Sequence, residues 1–237
     1  MISTDPLPIS KQTQGTDLYL WNTAQLPALD PQIFDSNSQA LGAKSVTDGG
    51  RNSAWFIEIN GLPAVLKHYR RGGVMALFNR SYYFWLGQAR ARSFNEFNVM
   101  RKMLQLGLPV PEVVAAVCWR KSVFFYRAAL ITKRIEGAIP LARSVDTEDW
   151  FKAGQVVKSM HQHNILHADL NVFNIMIDVD HKVWLIDFDQ ARTGIISHGE
   201  KFQSINRFHR SVKKVLHFQT SKFWLHFLLG YSGVARQ

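Results

Sequence analysis

HQHNILHADLNVFNIMIDVDHKVWLIDFDQAR, residues His161 to Arg192, decides how this chain is read. It contains His167-Ala168-Asp169, then Asn174 five residues after that aspartate, then Asp187-Phe188-Asp189. Two short apolar runs, Asn174 to Ile177 and Lys182 to Ile186, flank a turn at Asp178-Val179-Asp180, so a hairpin separates the two polar halves. Each piece alone is weak, because an Asp followed by an Asn at this spacing arises often by chance. The ordered set, with an apolar hairpin between its halves, matches a mechanism. Transfer of a γ-phosphoryl group demands positioning and charge stabilisation more than covalent chemistry by the protein. An Asp on a rigid loop accepts a hydrogen bond from the attacking hydroxyl, while an Asn and a second Asp supply hard oxygen ligands to Mg²⁺. Asp169, Asn174 and Asp187 are the candidates for those roles.

Upstream, Ala54 to Leu66 reads AWFIEINGLPAVL, two apolar runs around Asn60-Gly61, which predicts an antiparallel hairpin. The polar segment before it, TDGGRNS, contains Gly49-Gly50 and reads as a tight loop. After Lys67 come a basic loop, HYRRGG, and an aromatic stretch, ALFNRSYYFWLG, which either packs a lobe or touches a ligand. Ser93 to Leu106 places Phe94, Phe97 and Met100 on one helical face, with Gly107 as its stop. Val113 to Ile135 alternates apolar runs about a basic turn at Arg120-Lys121, as expected of another strand pair. From Asp146 the period becomes helical through Phe151, Val156, Val157 and Met160, and the last stretch of the chain reads as helical again. Strands thus dominate the first part and helices the second.

The segment from His161 to Arg192 resembles the catalytic and metal-binding loops of the protein-kinase-like fold, with His167-Ala168-Asp169 for His-Arg-Asp and Asp187-Phe188-Asp189 for Asp-Phe-Gly. More narrowly, HADLNVFNIMID, VWLIDFDQAR and NRFHRSVKK are similar to the lipopolysaccharide kinases, and among them to the Kdo kinases. The resemblance runs from about Gly42 almost to the C-terminus. It implies an α+β, two-lobed architecture, with a strand-rich N-lobe over residues 1–136 and a short helical C-lobe over residues 137–237. It also implies ATP and Mg²⁺ as cofactors, and transfer to the 4-hydroxyl of 3-deoxy-D-manno-octulosonic acid (Kdo) on a lipid A precursor. A core heptose kinase and a catalytically inactive basic adaptor are the alternatives.

The same resemblance implies further parts. Lys67, closing AVLK, takes the place of the strand lysine that contacts the α- and β-phosphates, and Glu96 is its ion-pair partner. Gly49 and Gly50 would cover the phosphates with backbone N–H groups, although GGRNSAWF lacks the G-x-G-x-x-G spacing. His167 is implied to be a scaffold of the catalytic loop rather than a general base. His-Ala-Asp lacks the arginine that receives an activation-loop phosphate, and no Ala-Pro-Glu follows Asp187. With 50 residues after that aspartate, a small or lipid-linked acceptor is expected and a protein substrate is not.

Composition bounds the rest. The 237 residues are 46% hydrophobic and 19% charged, which describes a folded globular chain. Met1 to Thr16 is polar and is the segment expected to be disordered. Neither a signal peptide nor a spanning run is read, so a cytoplasmic protein is expected. Cys118, the single cysteine, sits in apolar PEVVAAVCW and reads as a buried thiol. No Cys/His cluster has zinc spacing. Lys and Arg number 28 against 18 Asp and Glu, a net charge of +10, which implies an anionic partner. No nucleic-acid-binding signature accompanies that charge. In Phe202 to Phe218, apolar Phe202, Ile205, Phe208, Val212, Val215 and Leu216 recur at helical spacing while Arg207, Arg210, Lys213 and Lys214 fall elsewhere. This reads either as a core helix with a solvated basic face or as an attraction to anionic lipid, with peripheral association at the cytoplasmic face of the inner membrane as the expectation.

Overall fold

The computed structural model describes residues 7–46, 54–70, 82–217 and 220–233. Gly49, Gly50 and the Arg71-Gly72-Gly73 part of the basic loop lie outside the described residues. The chain divides into two compact bodies. One comprises the residues up to Arg101 with Glu112–Arg134, the other Lys102–Pro111 with the residues from Ile135 onward.

The first body is built on one antiparallel sheet. Its strands are β1 (Ile9–Gln14), β2 (Asp17–Asn22), β3 (Lys44–Ser45), β4 (Ala54–Ile59), β5 (Leu62–His68), β6 (Tyr83–Phe84), β7 (Val113–Arg120) and β8 (Phe125–Lys133). They run in the order β1-β2-β7-β8-β5-β4-β3, with β6 also pairing β8. Asn60 and Gly61, at φ 51° and 80°, form the β4–β5 turn, in the left-handed region that two-residue hairpins require. The expectation of disorder over Met1 to Thr16 is corrected at β1, which pairs with β2 from Ile9↔Asn22 to Gln14↔Asp17. This strand is polar because it is an edge, with exposed side chains, and it is held by its backbone ladder rather than by an apolar face.

Alternation along the strands gives the sheet two faces. Ile57, Ile59, Ala64, Leu66, Ala115, Val117, Ala129 and Ile131 share one core with Tyr19, Trp21, Phe34 and Leu41. Lys67, next to Leu66, therefore points to the opposite face, as does buried Cys118 next to Val117. Helix α1 (Arg92–Gln105) lies on that opposite face, where its Ser93 hydroxyl donates to the Val117 carbonyl at 2.9 Å.

The second body holds α2 (Thr147–Gln162), α3 (His198–Leu216) and α4 (Thr220–Ser232) with short strands β9 (Ile139–Pro140), β10 (Ile165–Leu166), β11 (Ile175–Ile177), β12 (Val183–Leu185) and β13 (Arg192–Thr193). β11 and β12 form the hairpin, β9 adds to β11, and β10 pairs β13. Asp146 caps α2 by accepting from the Glu148 N–H at 2.8 Å, and Ser197 with Glu200 forms a capping box at α3. Helices α2 and α4 cross at Gly154 and Gly230, where any Cβ would overlap the partner's backbone. Trp150 of α2 stacks on Phe223 of α4 at 5.2 Å, and Phe208 of α3 lies 4.6 Å from Phe227. Of the apolar positions read in α3, Ile205, Phe208 and Val212 are buried while Phe202 is exposed. Arg207, Arg210, Lys213 and Lys214 are exposed. Among the described residues, no helix is long and apolar enough to cross a membrane.

Candidate active site

In the first body, the Lys67 ammonium donates to both oxygens of Glu96, at 3.2 Å and 2.9 Å. Phe94 and Phe97, both buried, hold α1 so that Glu96 enters the protein with only 2% of its surface exposed. A carboxylate that deep must be matched by charge and hydrogen bonds. Lys67 supplies the charge, and the Tyr69 hydroxyl donates a short hydrogen bond to Glu96 Oε2. The ammonium also stands 4.8 Å from the Tyr69 ring centroid. Sequence reading singled out Lys67 and Glu96 but not Tyr69. The available signal was its spacing: two residues beyond Lys67 in an extended run, it shares the lysine's face. Lys67 keeps about a quarter of its side chain accessible, 24%.

In the second body, one imidazole organises the loops. His167, 1% exposed, accepts from the Asp169 N–H through Nδ1 at 3.1 Å. Its ring proton therefore sits on Nε2, which donates to the Ile186 carbonyl at 2.9 Å. The ring also lies 4.8 Å from that of fully buried Phe188. His167 thus ties the Asp169 loop to the Asp187-Phe188 loop, and neither nitrogen is left to act as a base. Asn174 completes the tie. Its Nδ2 donates to the Asp169 carbonyl at 2.9 Å, and its own carbonyl accepts from the Ile186 N–H at 3.0 Å. Asn171 Nδ2 donates to the same Asp169 carbonyl at 3.0 Å. The Asp169 carboxylate is left on the exposed side of this loop.

Asp187 and Gln190 adopt left-handed backbone at φ 62° and 61°. For residues with a Cβ this costs about 1 kcal/mol each, a strain found where a side chain must be aimed. For Mg²⁺, the donor set fits. The Asn174 amide commits its nitrogen to a carbonyl, which leaves Oδ1 as a hard ligand atom, and Asp187 adds a carboxylate on the adjoining loop. A different group, Asp146, Asp149 and His181, brings ligand atoms within 4.8 Å of one another. There His181 Nδ1 meets Asp149 Oδ1 at 2.8 Å while Ser144 donates to the other oxygen at 2.5 Å. This is an ion-pair network joining the β11–β12 turn to the start of α2. Gly49 and Gly50 lie outside the described residues.

The lipopolysaccharide kinase (Kdo/WaaP) family matches residues 37–231. A 3-deoxy-D-manno-octulosonic acid kinase of Xylella fastidiosa (strain 9a5c) is 41% identical over 177 residues, covering 73% of this chain and 71% of the relative. One of the same description from Xanthomonas axonopodis pv. citri (strain 306) is 35% identical over 217 residues, covering 90% and 87%. The solved structure of WaaP in complex with acyl carrier protein superimposes with a TM-score of 0.56 at 14% identity over 88% of this chain and 89% of that one, which shows the α+β kinase-like fold. With the family matched over most of its length and curated relatives above one-third identity, this chain belongs to the lipopolysaccharide kinase (Kdo/WaaP) family.

Proposed function

We propose that this protein transfers the γ-phosphoryl group of ATP to Kdo, at the 4-hydroxyl of the sugar on a lipid A precursor. It is an ATP-dependent phosphotransferase of its family, and relatives named Kdo kinases cover most of it. In this reading Asp169 accepts a hydrogen bond from the acceptor hydroxyl and orients its oxygen, which bonds to the γ-phosphorus as the hydroxyl proton passes to the Asp169 carboxylate. The bond from that phosphorus to the β-phosphate bridging oxygen breaks, and ADP leaves. Lys67, steadied by Glu96 and Tyr69, contacts the α- and β-phosphates. Asn174 and Asp187 would hold Mg²⁺, which would neutralise charge on the phosphate oxygens. Gly49 and Gly50 lend backbone N–H groups to the phosphates.

The observation that carries these roles is the His167 tie, because it fixes the Asp169 loop to the loop bearing Asp187 within one body. Transfer chemistry that depends on positioning needs such a fixed separation. The acceptor lies at a membrane, and the exposed Arg207, Arg210, Lys213 and Lys214 of α3 support peripheral association with the anionic cytoplasmic face of the inner membrane. The test is incubation of the purified protein with labelled ATP and either a Kdo-bearing lipid A precursor or a heptose-bearing core acceptor. Label on the first and not the second is expected; label only on heptose would replace Kdo as the acceptor. Sedimentation with anionic vesicles at low salt tests the association, and a protein left in the supernatant would refute it.

A further inference from the structure

One end of the first body's sheet carries large apolar side chains outward. The β7–β8 connection exposes Val123 by 70% and Phe124 by 67%. Strand β6 sets Phe84 opposite Phe125, with ring centroids 5.1 Å apart, and leaves Phe84 57% exposed, with Leu86 beyond it 67% exposed. Four such residues gathered at one tip form a patch rather than scattered exposure.

Several backbone donors of the tip are paired within it. Lys121 N–H and Ser122 N–H donate to the Phe125 carbonyl at 2.9 Å and 3.2 Å, and Trp85 N–H donates to the Phe124 carbonyl at 2.8 Å. The Ser122 hydroxyl oxygen accepts from the N–H groups of Phe124 and Phe125, both at 3.2 Å. Donors paired in this way can leave water without being stranded.

Behind the tip stand aromatic rings and then cations. Arg120 lies 4.8 Å from the Trp85 ring and Arg92 lies 4.5 Å from the Tyr83 ring. Lys121 and Arg90 are exposed. From Tyr82 to Arg92 and from Trp119 to Arg127 the chain has no Asp or Glu. Apolar tip, aromatic collar and cationic ring is the order of an anionic bilayer crossed from acyl chains to headgroups. Helix α3 offers the same charge with a single exposed aromatic, Phe202, where the tip gathers four large apolar side chains.

We infer that the tip formed by Phe84, Leu86, Val123 and Phe124 is the element that inserts into the anionic membrane interface, with Arg90, Arg120 and Lys121 on the headgroups. This rests on the peripheral-association reading above and names its contact. The test uses the full chain and vesicles with and without anionic lipid. Val123→Cys in a Cys118→Ser background, labelled with an environment-sensitive fluorophore, should shift to the blue on anionic vesicles and be quenched by lipid-borne quenchers. A label at Glu58→Cys, at the opposite end of the same sheet, should not be quenched. Phe84→Ser with Phe124→Ser should lower vesicle partitioning at least about tenfold, with phosphorylation of a detergent-dispersed acceptor unchanged. If the parent chain fails to bind vesicles at all, the association reading falls and this inference with it. If the parent binds and the double variant binds equally, only the inference falls. Conversion of a dimer to a monomer by the double variant, with vesicle binding intact, would assign the tip to a second copy and overturn it.

Discussion

Replacement of His167 by Ala probes the joint between the two catalytic loops. It removes the acceptor for the Asp169 N–H and the donor to the Ile186 carbonyl, and it empties the space beside Phe188. A polar group left without its partner in a protein interior costs about 1–3 kcal/mol. Two such groups, with the lost ring contact, amount to about 4 kcal/mol. With a urea slope of about 2.5 kcal/mol per molar, the unfolding midpoint should fall by about 1.5 M. Catalysis should suffer more than binding, because loops that drift apart lose alignment: kcat is expected to drop at least about 100-fold while the KM for ATP moves by a few-fold. Both imidazole nitrogens are occupied, so the remaining activity should keep the pH profile of the parent. Urea titration and steady-state kinetics across pH measure all three. A variant with the parental midpoint that loses one limb of the profile would show His167 to be a base and refute the positioning argument.

Three other expectations test the structure around the site. Gly230→Ala should destabilise by about 3 kcal/mol, since its Cβ would overlap the Phe151 carbonyl of α2, and thermal unfolding would reveal a tolerated substitution. The hydrogen bond and charge of Asp149, with Asp146 adding to them, raise the His181 pKa. A raised folded-state value stabilises fully below the unfolded pKa of about 6.5 and is lost as pH rises through the folded value, so the stability gap between the parent and His181→Gln should narrow as pH rises above about 6.5. A gap independent of pH would remove the ion pair from the account. Burial pushes the Cys118 thiol up to about 12, so alkylation at about pH 8 should proceed only as the protein unfolds; rapid labelling of the native chain would contradict its place in the sheet.

The parts of the fold that could be read were those with short-range signals. Asn60-Gly61 between apolar runs gave the β4–β5 hairpin because two-residue turns demand left-handed backbone. The spacing from Asp169 to Asp187 gave the second body's loops because a hairpin of set length lies between them. Strand β1 escaped because an edge strand is held by backbone bonds and leaves no apolar pattern. The α2–α4 contact escaped because it depends on two glycines distant in sequence, each of which reads alone as a weak helix residue. Tyr69 escaped because its partner Glu96 sits on another element, and only the packing of α1 on the sheet brings them together. Phe202 was read as core from its phase, yet it sits at the start of α3 on the exposed side. The aromatic stretch near Tyr83 had no pattern until β6 was seen against β8.

Asp169 tests the central claim most directly. Transfer of labelled γ-phosphate from ATP to a Kdo-bearing lipid A precursor should be measured for the parent chain and for Asp169→Ala, alongside nucleotide affinity. The account predicts labelled Kdo with the parent, a loss of turnover of at least about 1,000-fold in the variant, and an ATP affinity within a few-fold of the parent's. Turnover retained in Asp169→Ala would contradict it.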